Sequence, residues 1–279
     1  MPPRRLRLDA ELVRRGLARS REHASELIAQ RRVTVAGAVA TKPATGVTTD
    51  AAVVVATDPD RPEYVSRGGH KLAGALAVFE PEGFVVEGRR CLDAGASTGG
   101  FTDVLLRHGA AQVVAVDVGY GQLAWKLQSD ERVLVRDRVN VRELTTGITD
   151  GPVDVVVGDL SFISLELVLD ALLRVTAPDG DLALMVKPQF EVGKDRVGKG
   201  GVVRDPALRA EAVAHVATAA ASRGWGAHQL ATSPLPGPSG NVEFFLWLRR
   251  GPATLDEEAI HTTVRAAAPV GAAGERVDP

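Results

Sequence analysis

Apolar side chains at Leu8, Leu12 and Val13 fall on one face of a short helix that Gly16 closes. Ala24, Leu27 and Ile28 repeat the same period behind Ser20, a residue suited to capping a second helix. After Arg31 and Arg32 the period drops to two in VTVAG, with Gly37 at a turn and a return strand, and another short strand follows in AAVVVA. This pattern predicts a compact α+β unit of about 55 residues, small enough to be marginally stable alone.

Residues 58–67, DPDRPEYVSR, hold two prolines and a run of charges without any period, the composition of a linker. Beyond them GGHKLAGALAVF reads as a helix and α/β alternation begins: VVEGRRCLDAGAS is a strand entering a glycine-rich turn, GGFTDVLLRHG a helix, AQVVAVDVG a strand, GQLAWKLQSD a helix and VDVVVGDL a buried strand. LELVLDALLRVTA is helical, DLALMVKPQ a strand, PALRAEAVAHVATAAASRG a long helix and GNVEFFLWLRR a last strand. Alternation of this length predicts an α/β fold, a mostly parallel doubly wound sheet covered on both faces and preceded by the small α+β unit. The boundaries expected are 1–60 for that unit, 61–67 for the linker, 68–250 for the α/β domain and 251–279 for a tail rich in Ala, Gly and Pro, with a short helix and then disorder.

Composition narrows the setting. The 279 residues carry 33 Lys and Arg against 35 Asp and Glu, but residues 1–60 hold 10 basic side chains against 7 acidic, and the remainder 23 against 28. The front is basic and the rest acidic. One cysteine makes no internal disulfide, no zinc site of four thiolates and no CxxC pair, which fits a reducing cytoplasm, and no metal is expected. The start lacks an apolar stretch behind its charges, and no run approaches the roughly 18 apolar residues of a membrane span. Only six lysines occur, at 42, 71, 126, 187, 194 and 199. Against so many arginines, each marks a place where an ammonium is wanted or a chance of composition.

The first unit resembles the S4-type RNA-binding domain in its R-L-D start, its G-L-A-R-S-R junction and its V-x-V-x-G strand, over nearly all of residues 4–60. The resemblance implies that Arg4, Arg5, Arg7, Arg19, Ser20, Arg21 and Lys42 lie on structured RNA. Guanidinium forks suit phosphate oxygens, and such contacts position a protein while reading little sequence.

In the second domain the first sheet strand ends in Asp93, Gly95, Ser97, Gly99, Gly100 and Phe101, glycines that let backbone approach a ligand at the carboxyl end of a strand. The spacing is neither G-x-G-x-x-G nor a phosphate-binding G-K-[ST]. D-x-G-x-x-x-G-G-F instead is similar to the first motif of S-adenosylmethionine-dependent methyltransferases. Asp117 ends the next strand, where a carboxylate accepts from both ribose hydroxyls. By the same resemblance Asn140 and Val141 border the adenine.

The acceptor leaves marks of its own. Methylation at C5 of a pyrimidine needs a cysteine nucleophile, and Cys91 lies inside the apolar strand as a small core residue. Exocyclic amine methylation uses an N-P-P-Y-like or D-P-P-Y-like motif after the strand corresponding to VDVVVGDL, and GDLSFIS lacks the prolines. A ribose hydroxyl is a weak acid whose oxygen must be held in line while its proton leaves, a task for a desolvated lysine oriented by carboxylates. Lys71, Asp159, Lys187 and Glu243 stand at element ends on one rim, and K-D-K-E in that order is similar to the tetrad of FtsJ-type RNA 2′-O-methyltransferases. Lys187 is then the base or the stabiliser of the developing alkoxide, Asp159 and Lys71 position it and the ribose, and Glu243 holds a lysine or the acceptor.

With S-R-G-G-H-K-L, D-x-G-A-S-T-G-G-F-T-D, V-D-V-G-Y-G-Q-L, D-L-S-F-I-S, V-K-P-Q-F-E and G-N-V-E-F-F in order, the chain from residue 4 to about 250 resembles the TlyA family. The resemblance implies S-adenosylmethionine as cofactor, 2′-O-methylation of cytidine in the RNA of the large and in some members the small ribosomal subunit, and susceptibility to capreomycin-type antibiotics. A monomer is expected. Tyr64 stands where the family has Trp. The family is also called hemolysin, but the cationic unit lacks an extensive apolar face and helix 206–223 is Ala-rich, so membrane action is not expected. A non-catalytic ribosome-binding factor is a further alternative, against which the intact glycines, Asp117 and tetrad argue. His70 reads as a neighbour that packs beside Lys71. Residues 190–205 form either a loop that closes on RNA or a solvated connection.

Overall fold

The computed structural model describes residues 5–56, 63–237 and 239–267, and the chain separates into two compact units, Met1–Glu63 and Tyr64–Pro279. In the first, β1 (Arg5–Arg7) runs straight into α1 (Leu8–Arg14). Next comes α2 (Arg21–Ala29), which starts at Ser20, whose Oγ accepts from the His23 amide at 3.1 Å. β2 (Val33–Val35) turns into β3 (Ala38–Val39) through Ala36 and Gly37, both at positive φ, 48° and 81°, as a two-residue hairpin turn requires. β4 (Gly46–Thr48) pairs antiparallel with β1, and β5 (Val53–Val55) with β2. Leu8, Leu12, Leu27, Ile28 and Val33 close the core at 2% exposure or less. The β1–β4 ladder has no counterpart in the sequence expectation, because three residues per strand carry no readable period.

Among the described residues the second unit is built on seven strands, β6 (Arg90–Ala94), β7 (Gln112–Asp117), β8 (Val133–Asp137), β9 (Val153–Gly158), β10 (Thr176–Val186), β11 (Trp225–Thr232) and β12 (Phe244–Arg250), in spatial order β11-β12-β10-β9-β6-β7-β8. The strands from β8 to β10 are parallel, while β12 runs antiparallel to both of its neighbours. The central strands read as unbroken apolar runs because both faces are covered. Leu92, Val114, Val156 and Leu182 pack under α6 (Glu166–Val175), α7 (Pro206–Ala221) and α8 (Glu257–Ala266). Cys91, Val113, Val155 and Ala183 pack under α3 (Gly68–Phe79), α4 (Gly100–Arg107) and the single turn α5 (Trp125–Gln128).

Three expectations change. The helix read over 121–130 shrinks to Trp125–Gln128. β11 was not foreseen, because His228 and Gln229 break its apolar pattern and a register shift lies between Ala227 and Gln229. Tyr64, read as linker, is 7% exposed and belongs to the second unit: it meets His70 edge-on at 5.1 Å, lies under the Arg107 guanidinium at 4.8 Å, and sits where a side chain on Gly69 would collide with it. Glu63, one residue earlier, pairs with Arg32 at 2.7 Å in the first unit. Residues 57–62 and 268–279, which include part of the expected linker and most of the expected tail, lie outside the described residues.

Candidate active site

At the end of β6 the backbone turns through Gly95 (φ 86°) and Ser97 (φ 47°), and a Cβ on Gly95 would come within 3.2 Å of the Asp159 carbonyl. Asp117, ending β7, braces this turn: its Oδ2 accepts from the Ser97 amide and its Oδ1 from the Gly119 amide, both at 2.7 Å. Each carboxylate oxygen keeps a further lone pair for a ligand. Gly95, Ser97, Asp117, Asn140 and Val141 line one cavity of about 530 Å³, whose far wall is Asp159, Leu160, Ser161, Phe162 and Ile163. Asn140 also caps the turn Val141–Glu143 by accepting from the Arg142 amide.

Asp93 lies behind the turn, fully buried. Its Oδ2 accepts from the amide and hydroxyl of Thr102 at 2.9 and 2.7 Å, and its Oδ1 has no hydrogen-bond partner among the described residues. Burial pushes its carboxyl up to about 7 against the Thr102 bonds, and the carboxylates of Asp159 and Asp117 push the same way. The neighbours of Gly99, Gly100 and Phe101 in this structure are packed protein atoms. A Cβ on Gly99 would meet Leu127 at 2.2 Å, one on Gly100 would meet Ser66 Oγ at 2.3 Å and the Gly69 amide nitrogen at 2.8 Å, and Phe101 packs on Phe245 in the core. These glycines let α3, α4 and the Leu123–Leu127 segment approach one another.

The four candidate catalytic side chains form two ion pairs. Lys187, just past β10, has its Nζ 2.5 Å from Asp159 Oδ1 and donates to Ser161 Oγ at 2.8 Å. Lys71 of α3 donates to Glu243 Oε2 at 2.6 Å, and Gln189 Nε2 lies 3.5 Å from the other carboxylate oxygen. Lys71, Lys187 and Glu243 are buried, at 7, 6 and 1% exposure. Glu243 reaches this rim because β12 is antiparallel: Phe244, where it begins, faces Val186, where β10 ends. Ser161 and Gln189 lie inside motifs visible in the sequence, but only the fold gives them partners.

The remaining candidates fall elsewhere. Cys91 is fully buried, and burial raises its thiol to about 12, so it is a core residue and no nucleophile. Segment 190–205 is tied to the entry of β12, where Asn241 Nδ2 donates to the Gly201 carbonyl and Asn241 Oδ1 accepts from the Val203 amide. In the first unit Arg5, Arg7, Arg19, Ser20, Arg21 and Lys42 are exposed, while Arg4 lies outside the described residues. The Ser20 hydroxyl oxygen is engaged as the cap of α2. The guanidinium of Arg7, with that of Arg21, holds the Asp9 carboxyl down to about 2 despite its burial.

The FtsJ-like methyltransferase family matches residues 64–250, and the S4 domain matches residues 6–53. The 16S/23S rRNA (cytidine-2′-O)-methyltransferase TlyA of Mycobacterium tuberculosis is 60% identical over 246 residues, 88% of this chain and 90% of that protein. The chain belongs to the TlyA family. Hemolysin A of Brachyspira hyodysenteriae is 36% identical over 241 residues, 86% of this chain and 98% of that protein. A solved structure from Streptococcus thermophilus with a provisional hemolysin description superposes with a TM-score of 0.72 at 35% identity, covering 95% of this chain and 96% of that one. This TlyA-family chain is therefore an FtsJ-like methyltransferase joined to an S4 domain. No helix among its described residues is long and apolar enough to cross a membrane.

Proposed function

We propose that this protein transfers a methyl group from S-adenosylmethionine to the ribose 2′-hydroxyl of a cytidine in ribosomal RNA of the large subunit, with the small subunit as a second substrate to be tested, and that it works on ribosomal subunits in the cytoplasm. The observation that carries the reading is the position of Asp159, which belongs to the wall of the cavity and to the ion pair with Lys187 at once. A cofactor in that cavity and a lysine able to handle the acceptor's proton are thereby neighbours. Support for the substrate comes from the name of the M. tuberculosis relative and from the S4 domain.

The residues present suit the cofactor. Asp117 suits a ribose diol, Asn140 and Val141 suit the edge and face of a base, and the unpartnered oxygen of buried Asp93 suits a cationic amine. When bound, S-adenosylmethionine supplies an electrophilic methyl on a sulfonium. The chain's own part is to hold the 2′-oxygen in line and manage its proton as the O–CH₃ bond forms and the S–CH₃ bond breaks. Lys187 Nζ takes that proton or donates to the oxygen as charge develops, Asp159 and Ser161 fix the direction of the ammonium or amine, and Lys71 with Glu243 braces the neighbouring wall. Arg5, Arg7, Arg19, Arg21 and Lys42 hold the RNA backbone.

Radiolabelled S-adenosylmethionine incubated with unmodified small and large subunits, followed by nuclease digestion and mass spectrometry, tests the reading. Label is expected in 2′-O-methylcytidine and is expected to vanish with Lys187→Ala while cofactor binding persists. Label in a base-methylated nucleotide, or none on either subunit, would refute it.

A further inference from the structure

The R-L-D start of the first unit brings an acid into the middle of the basic face. Asp9 is 3% exposed, although carboxylates are seldom buried without partners. Its partners are two of the exposed arginines: Arg7 donates through Nε and Nη2 at 3.1 and 3.0 Å, and Arg21 donates through Nη2 at 2.9 Å. The Ala10 amide completes the set at 2.8 Å, so the carboxylate cannot rotate without losing several bonds. Arg7 precedes α1 and Arg21 opens α2, so one buried acid fixes side chains from two elements 14 positions apart. The Asp9 amide donates to the Pro43 carbonyl at 3.1 Å, which ties the loop bearing Lys42 to the same point. Half or more of each arginine side chain still faces solvent, 52% for Arg7 and 60% for Arg21.

We propose that Asp9 is a positioning residue for RNA, a buried anchor that holds the Arg7 and Arg21 guanidiniums as a preset pair for phosphate oxygens. It rests on the reading of this unit as RNA-binding. Asp9 takes two of the five N–H donors of Arg7 and one of those of Arg21, leaving the others for a ligand. A long side chain held in place loses less rotamer freedom when it binds. Counting charge alone gives the opposite expectation, because an acid beside a phosphate site repels the ligand.

The test measures binding of the full chain to unmodified large ribosomal subunits over a range of salt, for wild type, Asp9→Asn, Arg7→Ala with Arg21→Ala, and the triple variant. Asp9→Asn is expected to weaken binding about tenfold although it removes a negative charge, and to have no further effect once both arginines are gone. Unchanged or tighter binding by Asp9→Asn overturns the proposal. So does an equal loss in both backgrounds, which would make Asp9 a folding residue only. If Asp9→Asn fails to fold, Arg7→Lys with Arg21→Lys asks the same question with charge and anchor kept: a similar loss supports the preset fork and wild-type affinity overturns it. A wild type that binds no subunit refutes the RNA reading itself, a result distinct from the others.

Discussion

Lys71 and Glu243 stand 172 positions apart and meet at 2.6 Å, with 9 and 1% of their side chains exposed. Neither motif carrying them specifies the contact. It depends on α3 crossing the rim of the sheet and on β12 entering from that same rim, against the direction of the parallel strands. The pair is therefore a tertiary clasp between the first helix and the last described strand of the methyltransferase unit.

Removing one partner leaves a buried charge unpaired. Lys71→Ala is expected to cost about 3–5 kcal/mol of unfolding free energy, while Lys71→Met combined with Glu243→Leu recovers most of it without restoring methyl transfer. Tryptophan fluorescence in urea follows this unit alone, since all three tryptophans, 125, 225 and 247, lie in it. Full stability of the single variant would show that the pair is solvated in solution.

Ser161 accepts from Lys187 Nζ at 2.8 Å and was not singled out in the sequence. Ser161→Ala should lower kcat about tenfold, the effect of one hydrogen bond to a charged or reacting group. Single-turnover methyl transfer and cofactor titration separate the two roles open to it. A loss confined to cofactor affinity would mean that Ser161 serves cofactor binding and not Lys187.

Asp93 gives the apo protein a pH signature. Its carboxyl is raised to about 7, so the folded state holds a proton that the unfolded chain has released. Its contribution to stability is full below about pH 4, falls by roughly 1.4 kcal/mol per pH unit toward pH 7, and is level above that. Asp93→Asn mimics the protonated form and keeps an acceptor for Thr102. Urea midpoints of the variant and wild type should agree near pH 4, separate progressively up to about pH 7 and stay apart by a constant amount above it, the variant being the more stable. A constant difference from near pH 4 upward would mean that Asp93 ionises freely in the fold.

Much of this was legible in the chain. The apolar runs of β6, β7, β9 and β10 announce strands buried on both faces, and the scarcity of lysine draws attention to Lys71 and Lys187. What stayed hidden depends on partners distant in sequence. At Gly99 and Gly100 the glycine-rich turn does not reveal that a Cβ would meet Leu127, Ser66 and Gly69, a packing reason for glycine beside any contact with a ligand. Phe101 reads as part of the same turn and is buried on Phe245. β11 carries polar His228 and Gln229 where a strand pattern is sought, and its pairing with β12 tolerates them because it lies at the edge of the sheet.

Asn241, two residues before Glu243, holds segment 190–205 through both ends of its amide, with the Gly237 amide donating to its carbonyl at 2.9 Å. At 3% exposure its loss leaves the Val203 amide and the Gly201 carbonyl without their partner. Asn241→Ala should cost about 1–3 kcal/mol, chiefly through the buried Val203 amide, since Gly201 is exposed and water can meet its carbonyl. The cost should appear locally: hydrogen exchange at the Val203 amide should quicken far more than exchange in β6 or β7, because the sheet does not depend on this bond. Methyl transfer should fall with it, since Asn241 stands two residues before Glu243 on the same approach to β12. Asn241→Asp keeps the acceptor for Val203 and loses the donor to Gly201, so it should fall between alanine and wild type in exchange. If Val203 stays protected in the alanine variant, the segment is held by the packing of Val192, Val203 and Ala212 and not by the amide.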